Sequence, residues 1–383
     1  MNNFTYSIPT KIYFGKGQIS HLPELAQSGQ RVWLVYGGGS IKRAGIYDEA
    51  MKLLTGAGLK VFELAGVEPN PRIESVRKGV EMCKAEDIQM VLAIGGGSTI
   101  DCAKVVAAGA KYDGDPWDLV VDSSKIADAL PIYSVLTLSA TGSEMDEFAV
   151  ISDLSKNEKW GTGAEALKPK MSILDPEYTY SVSPKQTSAG TADMMSHIFE
   201  NYFTNVTGAD VQARFCEGLL KTAIQYGPIA LAEPDNYDAR ANLMWTASFA
   251  INGLLCDGAE VKWCVHPMEH ELSAFYDITH GEGLAILTPV WMDFALRPET
   301  EAKFAEYGRN VWNLSGSDAE VARQSIACTR DFFKRMNLPA TLTEVGIDET
   351  HFEEMAEKAE KGCKGAYVPL SKADIIGIYK AAL

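Results

Sequence analysis

Histidine and aspartate side chains with metal-ligand spacing stand out in the sequence. The chain has 383 residues and only six histidines, and four of these lie between residues 193 and 280. Asp193 and His197 are four residues apart in a proline-free stretch, so on a helix their side chains share one face. His266 and His280 could add two nitrogen ligands, and three imidazoles with one carboxylate suit Zn²⁺ or Fe²⁺. One histidine alone would more often be an ordinary hydrogen-bonded residue, but the cluster predicts a metal site.

A shorter motif in the same region supports a rival hypothesis. Residues 266–270, His-Pro-Met-Glu-His, match H-x-x-E-H, in which both histidines of a metallopeptidase bind zinc and the glutamate activates water. A peptidase has no use for Asp193 and His197, nor for the glycine turns described next. The metal site that includes Asp193 is therefore the favoured hypothesis.

Two glycine-rich turns follow short apolar segments and precede helical stretches. They consist of Gly37, Gly38, Gly39 and Ser40, and of Gly95, Gly96, Gly97 and Ser98. A turn of this kind brings backbone N–H groups and a helix N-terminus to a phosphate, and two of them in one sheet suggest a dinucleotide. Neither matches G-x-G-x-x-G, so a standard Rossmann site is weakly supported and each could be a simple tight turn.

Polar residues near the second turn are candidates for the same site. Asp101 is expected in the first turn of the following helix, where it would complement the helix dipole. Thr137, Thr141 and Ser143 follow another apolar segment, and their hydroxyls could contact a cofactor or cap a helix. Either role stays open at this point.

The order of apolar and amphipathic segments predicts the fold class. Apolar strands at residues 31–36, 60–64, 90–94 and 132–137 alternate with helical stretches, which indicates an α/β domain whose parallel sheet is covered on both faces. After Asp175 only helical patterns remain. We therefore expect a dinucleotide-binding α/β domain over residues 1–182 and an all-helical, metal-binding domain over residues 183–383.

Charge and cysteine content exclude several classes of partner. The net charge of −16 argues against nucleic acid and against an anionic membrane surface. The start lacks the pattern of a signal peptide, and no run of 18 apolar residues suggests a membrane span. Seven scattered cysteines without a C-x-x-C pair indicate a reducing compartment. We expect a cytoplasmic protein with a small-molecule substrate.

Long motifs occur in a fixed order along essentially the whole chain. They are residues 9–17, 36–40, 68–71, 95–101 and 136–144, the pairs Asp193/His197 and His266/His270, and His280 with Gly283. With these motifs the chain resembles the iron-containing (group III) alcohol dehydrogenases, in particular their butanol dehydrogenase and NADPH-dependent aldehyde reductase branch. The resemblance implies a dehydroquinate synthase-like α/β domain followed by a helical domain.

The resemblance also implies roles for individual residues. Asp193, His197, His266 and His280 would bind one Fe²⁺ or Zn²⁺, and His270 would lie near the substrate without binding the metal. The turn at 37–40 would approach the adenosine ribose and the turn at 95–98 would hold the pyrophosphate. The nicotinamide side would be lined by Asp101, Thr137, Leu138 and Thr141, and His270 and Asp101 would be the catalytic residues. Lys159 would reach the ribose region, unless it is a solvated surface lysine.

The implied activity is hydride transfer between a nicotinamide cofactor and a primary alcohol or aldehyde such as butanol or butanal. The adenosine turn has no carboxylate and is followed by Lys42 and Arg43, so we expect NADP(H) to be preferred over NAD(H). A homodimer is expected. Two other function classes stay open: a lyase of the dehydroquinate synthase type, and a non-catalytic nucleotide-binding protein.

Overall fold

The computed structural model describes residues 1–383, which form two compact units. The first contains Ser7–Val182 and Pro234–Ser248, and the second contains Met1–Tyr6, Ser183–Glu233 and Phe249–Leu383. The sequence-based division at residue 182 places the first six residues and Pro234–Ser248 differently, because their assignment depends on contacts far apart in the sequence. A helix with the combined length and hydropathy of a membrane span is absent from the structure.

The first unit is built on a six-stranded parallel sheet, which confirms the predicted fold class. Its spatial order is β1-β8-β5-β4-β2-β3, and β6 and β7 form a separate antiparallel hairpin. The strands are β1 Lys11–Phe14, β2 Arg31–Tyr36, β3 Lys60–Ala65, β4 Met90–Gly95, β5 Ile132–Leu136, β6 Phe148–Asp153, β7 Glu158–Gly163 and β8 Met171–Leu174. The helices of this unit are α1 Ser40–Arg43, α2 Ile46–Gly56, α3 Ile73–Ala85, α4 Gly97–Gly109 and α5 Trp117–Val121.

Side chains of the central strands alternate between two hydrophobic cores, one on each face of the sheet. On β4, Val91 and Ala93 belong to one core, and Met90, Leu92 and Ile94 belong to the other. All residues of β4 are buried. This explains why the strand is apolar without interruption, as expected for a parallel strand covered on both faces.

Some elements differ from the sequence-based expectation. The helical stretch expected between β2 and β3 is two helices, α1 and α2, separated at Gly45, whose φ of 76° lies in the left-handed region that ends a helix. Strands β6, β7 and β8 were not predicted. Strand β7, Glu-Lys-Trp-Gly-Thr-Gly, contains two glycines and a charged pair, so its β-propensity is low.

Helices make up the second unit, as predicted. They are α6 Pro184–Tyr202, α7 Asp210–Ala232, α9 Val265–Tyr276, α10 His280–Ala295, α11 Glu301–Trp312, α12 Asp318–Arg335, α13 Phe352–Cys363 and α14 Lys372–Ala381, while α8 Tyr237–Ile251 contributes mainly to the first unit. Helix α6 begins at Pro184 after Ser183, whose side chain caps the backbone N–H of Gln186. Every residue from Thr187 to Tyr202 is buried, so α6 is the central helix of the unit.

The backbones of helices α6 and α10 lie close together, with no side chain between them at Gly281. A Cβ at Gly281 would lie 2.0 Å from the carbonyl oxygen of Ala189, so only glycine fits at this crossing. Gly281 directly follows His280. The close approach therefore helps to bring the first residue of α10 to the residues of α6.

We expect Gly281→Ala to destabilise the protein, because the added methyl group must push two helix backbones apart. Overpacking of this kind costs about 1–3 kcal/mol or more. Gly218→Ala in α7 is a matched control, because nothing lies within 4 Å of its added Cβ. There alanine should stabilise the helix by about 0.5–1 kcal/mol. Chemical denaturation of both variants checks this, and equal stability of Gly281→Ala and the parent would contradict the close crossing.

Candidate metal centre and dinucleotide site

Three helices of the second unit supply the predicted metal ligands. Asp193 and His197 lie one turn apart on α6, where both side chains are buried. His266 is the second residue of α9, and His280 is the first residue of α10. The structure therefore brings the four residues together from sequence positions up to 87 apart.

Asp193 Oδ1 is the point on which the imidazoles converge. It lies 3.6 Å from His197 Nε2, 3.8 Å from His266 Nε2 and 3.7 Å from His280 Nε2. These separations are too long for hydrogen bonds, and neither Asp193 Oδ1 nor His266 Nε2 has a hydrogen-bond partner. Ligands of a tetrahedral metal with bonds of about 2.0–2.2 Å lie about 3.3–3.6 Å apart. The four residues therefore fit a divalent metal.

The fit is closest for three of the four ligands. The ligand atoms of Asp193, His266 and His280 all lie within 4.8 Å of one another. His197 does not belong to that mutually close group and joins it through Asp193. Its ring stacks on the ring of His266 with centroids 4.6 Å apart and an interplanar angle of 11°.

Burial and mutual charge set the protonation states of these groups. Burial tends to raise the pKa of Asp193, but His197, His266 and His280 outweigh it and hold that pKa well below its usual range. Burial lowers the pKa of His197 to about 3, so its ring is neutral at pH 7. Burial also acts to lower the pKa of His266, but Asp193 and Glu200 raise it to about 9. A cation bound here would replace the proton on His266.

His270 lies beside the ligands without joining the Asp193 group. Its ring centroid is 5.6 Å from that of His280 and 6.3 Å from that of His266. A second group of potential ligand atoms consists of Glu269, His270 and His280. Glu269 is fully buried, and its Oε2 directly contacts His280 Nδ1. The H-x-x-E-H motif therefore does not place His266, Glu269 and His270 around one point.

Glu200 is a functional residue that the sequence analysis missed. It lies on α6, and its carboxylate accepts hydrogen bonds from the backbone N–H groups of Cys264, Val265 and His266 at 2.9, 2.5 and 3.0 Å. These are the first free N–H groups of α9, which has no cap from its own side chains. Glu200 therefore fixes the start of α9 and with it the position of His266. No sequence pattern connects Glu200 to residues 64–66 positions away.

In the first unit, the two glycine turns lie at the carboxyl ends of neighbouring strands. The turn at 95–98 follows β4 and the turn at 37–40 follows β2, and these two strands pair directly. From this pair, β3 extends the sheet in one direction, whereas β5, β8 and β1 extend it in the other. Ligands of open α/β sheets bind at such a topological switch point.

The second turn fits tightly against the segment that follows β5. A Cβ at Gly95 would lie 2.5 Å from Thr99 Oγ1, one at Gly96 would lie 3.2 Å from Leu138 Cβ, and one at Gly97 would lie 2.2 Å from Thr141 Oγ1. The backbone N–H of Thr137 donates to the carbonyl of Gly95 at 3.0 Å. The glycines therefore allow the predicted residues Thr137, Leu138 and Thr141 to contact the turn directly.

Two predicted residues have surroundings that the sequence did not indicate. Asp101 lies beyond the first turn of α4, because that helix begins at Gly97; the predicted first-turn position is wrong. Its Oδ1 accepts a hydrogen bond from Ser143 Oγ at 2.6 Å, and its Oδ2 accepts one from the backbone N–H of Val150 at 2.9 Å. Lys159 on β7 is only 6% exposed, so it is not the solvated surface lysine of the alternative prediction.

Cationic side chains follow the first turn. Gly39 has a φ of 93°, and a guanidinium nitrogen of Arg43 lies 4.0 Å from the position of its added Cβ. Lys42 lies over the rings of Tyr36 and Tyr47, at 5.0 and 4.4 Å from their centroids. Arg43 is therefore the cation best placed to reach a group bound at this turn.

Comparisons with known proteins find similarity over nearly the whole chain. The family model of iron-containing alcohol dehydrogenases matches residues 9–176, and the model of their C-terminal region matches residues 187–383. The chain is 54% identical to NADH-dependent butanol dehydrogenase A of Clostridium acetobutylicum over 99% of both chains. It is 40% identical to the NADPH-dependent aldehyde reductase YqhD of Escherichia coli over 94% of both chains. The crystal structure of a Thermotoga maritima NADH-dependent butanol dehydrogenase A superposes with a TM-score of 0.96 at 38% identity, covering 100% of this chain and 99% of that one.

We expect Asp193→Asn to abolish tight metal binding, because the substitution removes the only anion among the predicted ligands. Zn²⁺ content after dialysis should fall from about one ion per chain, the number that one four-ligand site holds, towards zero. Asp293→Asn on α10 is the control, because Asp293 is exposed and pairs only with Arg330. Elemental analysis of both proteins checks the prediction. Full metal content in Asp193→Asn would exclude this site.

Proposed function

Since the chain belongs to the iron-containing alcohol dehydrogenase family, we propose that it is a metal-dependent alcohol dehydrogenase or aldehyde reductase acting with NADP(H) on primary alcohols or aldehydes such as butanol and butanal. The observation that carries the metal dependence is the buried Asp193 oxygen, which has no hydrogen-bond partner and faces three imidazole nitrogens at 3.6–3.8 Å. The substrate class is supported by relatives named butanol dehydrogenase and aldehyde reductase.

The proposed metal ligands are Asp193, His197, His266 and His280. A bound metal would supply Lewis-acid polarisation of the alcohol or aldehyde oxygen, and a bound nicotinamide would supply the hydride acceptor or donor. The protein holds the ligands in a buried site, where water competes poorly with the substrate oxygen. His280 is the most accessible of the four, with 22% of its side chain exposed, and we assign it to the side from which substrate enters.

His270 is the proposed proton carrier between the substrate oxygen and solvent. It is partly exposed, and its ring lies 5.6 Å from that of His280. An imidazole can accept and release a proton near neutral pH, so this position suits the transfer of the alcohol proton. Asp101 is the other candidate catalytic residue, but its hydrogen bonds to Ser143 after β5 and to Val150 on β6 connect α4 to both segments. We assign it to the support of the cofactor turn.

The preference for NADP(H) rests on the residues around the first glycine turn. The turn after β2 contains no carboxylate, and Arg43 lies over Gly39. The nearby acid Glu63 already accepts hydrogen bonds from Tyr36 and Tyr47 at 3.0 and 2.7 Å. A 2′-phosphate therefore meets a cation here and no free carboxylate. One relative is named NADH-dependent and another NADPH-dependent, so the names do not decide between the two cofactors. The proposal of NADP(H) rests on the residues around this turn.

The proposed setting is a reducing compartment such as the cytoplasm, because all seven cysteines are free thiols. A homodimer is also proposed. Strand β1 supports it, because this strand lies at the edge of the sheet and pairs only with β8. An unpaired strand edge is available to a second chain.

We expect the purified protein to contain about one metal ion per chain and to oxidise NADPH with butanal, because four ligands form one site. Chelation should abolish turnover, and Fe²⁺ or Zn²⁺ should restore it. NADPH absorbance and elemental analysis on the same samples check both parts. Turnover by fully metal-free protein would contradict the proposed mechanism. Metal without net NADPH oxidation would favour a lyase of the dehydroquinate synthase type.

We expect a higher kcat/KM with NADPH than with NADH. Arg43→Ala should lower kcat/KM for NADPH about tenfold, the size of one charge-assisted hydrogen bond, and leave NADH almost unchanged. Arg323→Ala removes another exposed arginine, on α12, and should change neither value. Steady-state kinetics with both cofactors decide the question. A much higher kcat/KM for NADH in the parent enzyme would overturn the NADP(H) proposal.

A further inference from the structure

The buried contact between Glu269 and His280 assigns a role to a residue outside the proposed ligand set. We infer that Glu269 is a positioning residue that fixes the ring orientation and tautomer of His280, so that His280 meets the metal through Nε2. The inference rests on the proposed metal site. It concerns a part of that site that no ligand motif describes.

The contact is direct, and its carboxylate side is fully buried. Glu269 lies on α9 and is 0% exposed, and its Oε2 contacts His280 Nδ1 at the start of α10. Its other oxygen, Oε1, accepts a hydrogen bond from Ser273 Oγ one turn further along α9. A carboxylate held at both oxygens has little freedom to rotate. Glu269 therefore presents a fixed acceptor to the imidazole.

Gly283 provides the space for this arrangement. A Cβ at Gly283 would lie 2.8 Å from Glu269 Cγ and 3.0 Å from its Oε1. Even alanine would displace the carboxylate from its present position. His280 thus provides a ligand at the start of α10. Gly283, one turn later, leaves the space that the side chain of Glu269 occupies.

The proton on the imidazole follows from the contact. A carboxylate that faces Nδ1 accepts a hydrogen bond from Nδ1–H, so in the neutral ring Nδ1 keeps the proton and the lone pair is on Nε2. That nitrogen lies 3.7 Å from Asp193 Oδ1, on the metal side. Carboxylate–histidine–metal arrangements of this kind orient the ligand and raise its basicity.

Two other roles of Glu269 are less consistent with its surroundings. A second metal held by Glu269, His270 and His280 would have to break the contact between Glu269 Oε2 and His280 Nδ1. The water-activating role of a peptidase glutamate needs access to water, and Glu269 is fully buried.

The other two proposed ligand histidines lack the carboxylate contact that His280 makes. His197 Nδ1 has no hydrogen-bond partner, and His266 Nδ1 lies 3.6 Å from Glu200 Oε1, beyond hydrogen-bonding distance.

The test compares Zn²⁺ affinity in the full-length parent, Glu269→Gln and Glu217→Gln, measured by competition with a chromogenic chelator. Loss of such a supporting partner typically weakens metal binding about 10- to 100-fold, and we expect that loss in Glu269→Gln. Glu217 is a matched control, because it is buried in the same unit and bonds to Tyr202 and Asn310, away from the ligands. Its variant should lose stability and keep the parent affinity.

The absorption spectrum of the Co²⁺-substituted protein provides a second readout, which a purely structural loss would not change. Glu269→Gln should alter that spectrum, and Glu217→Gln should not. Parent-like affinity and spectrum in Glu269→Gln would overturn the inference. If Glu269→Gln does not fold, Glu269→Asp replaces it, because the shorter side chain withdraws the carboxylate from Nδ1. Weaker Zn²⁺ binding in Glu269→Asp supports the inference, and unchanged binding overturns it.

Zn²⁺ binding by the parent is measured first, because it separates failure of the proposed metal site from failure of the proposed role of Glu269. A parent that binds no Zn²⁺, Fe²⁺ or Co²⁺ would overturn the proposed metal site itself. A parent that binds Zn²⁺, together with a Glu269→Gln variant of equal affinity, would overturn only the role of Glu269.

Discussion

The helical unit depends on one electrostatic constraint: a buried carboxylate oxygen that faces imidazole nitrogens and makes no hydrogen bond. Burying an anion costs several kcal/mol unless it is compensated. Asp193 Oδ1 lies on the most buried helix of the unit, so water does not provide the compensation. The surrounding residues supply nitrogen ligands at metal-like separations. We propose that a cation held at this point completes the compensation.

Much of the surrounding architecture serves to hold three helices in register around that point. Gly281 allows α10 to approach the backbone of α6, which brings His280 within reach of Asp193. Glu200 caps α9 across space and fixes the start of the helix that carries His266. Side chains outside the ligand set thus determine where the ligands lie. In metal sites, hydrogen bonds from surrounding residues commonly orient the side chains that bind the metal.

The sheet of the other unit presents the backbone N–H groups of its glycine turns at one edge. Parallel strands end on the same side, and the reversal of strand order between β2 and β4 opens a crevice there. The glycines after β4 have no side chains to fill it, and Leu138 and Thr141 support them from the next strand connection. The conformation of the turn is therefore a property of the sheet order as much as of the glycines.

The sequence by itself determined the features that depend on neighbouring residues. Helical spacing put Asp193 and His197 on one face, uninterrupted apolar runs marked β2 and β4, and glycine runs marked the turns that follow them. The clustering of four of the six histidines, and then the resemblance to a known family, added His266 and His280, although their spacing from Asp193 does not fix their geometry.

Only the tertiary structure decided the contacts between distant segments. The cap of α9 by Glu200, the contact of Glu269 with His280, the burial of Lys159 and the hydrogen bonds of Asp101 all join residues that no local pattern connects. The same applies to Pro234–Ser248, which follows two helices of one unit yet belongs to the other. The physical reason is that periodicity reports which face of a segment is buried, whereas its neighbours depend on how whole helices and strands pack.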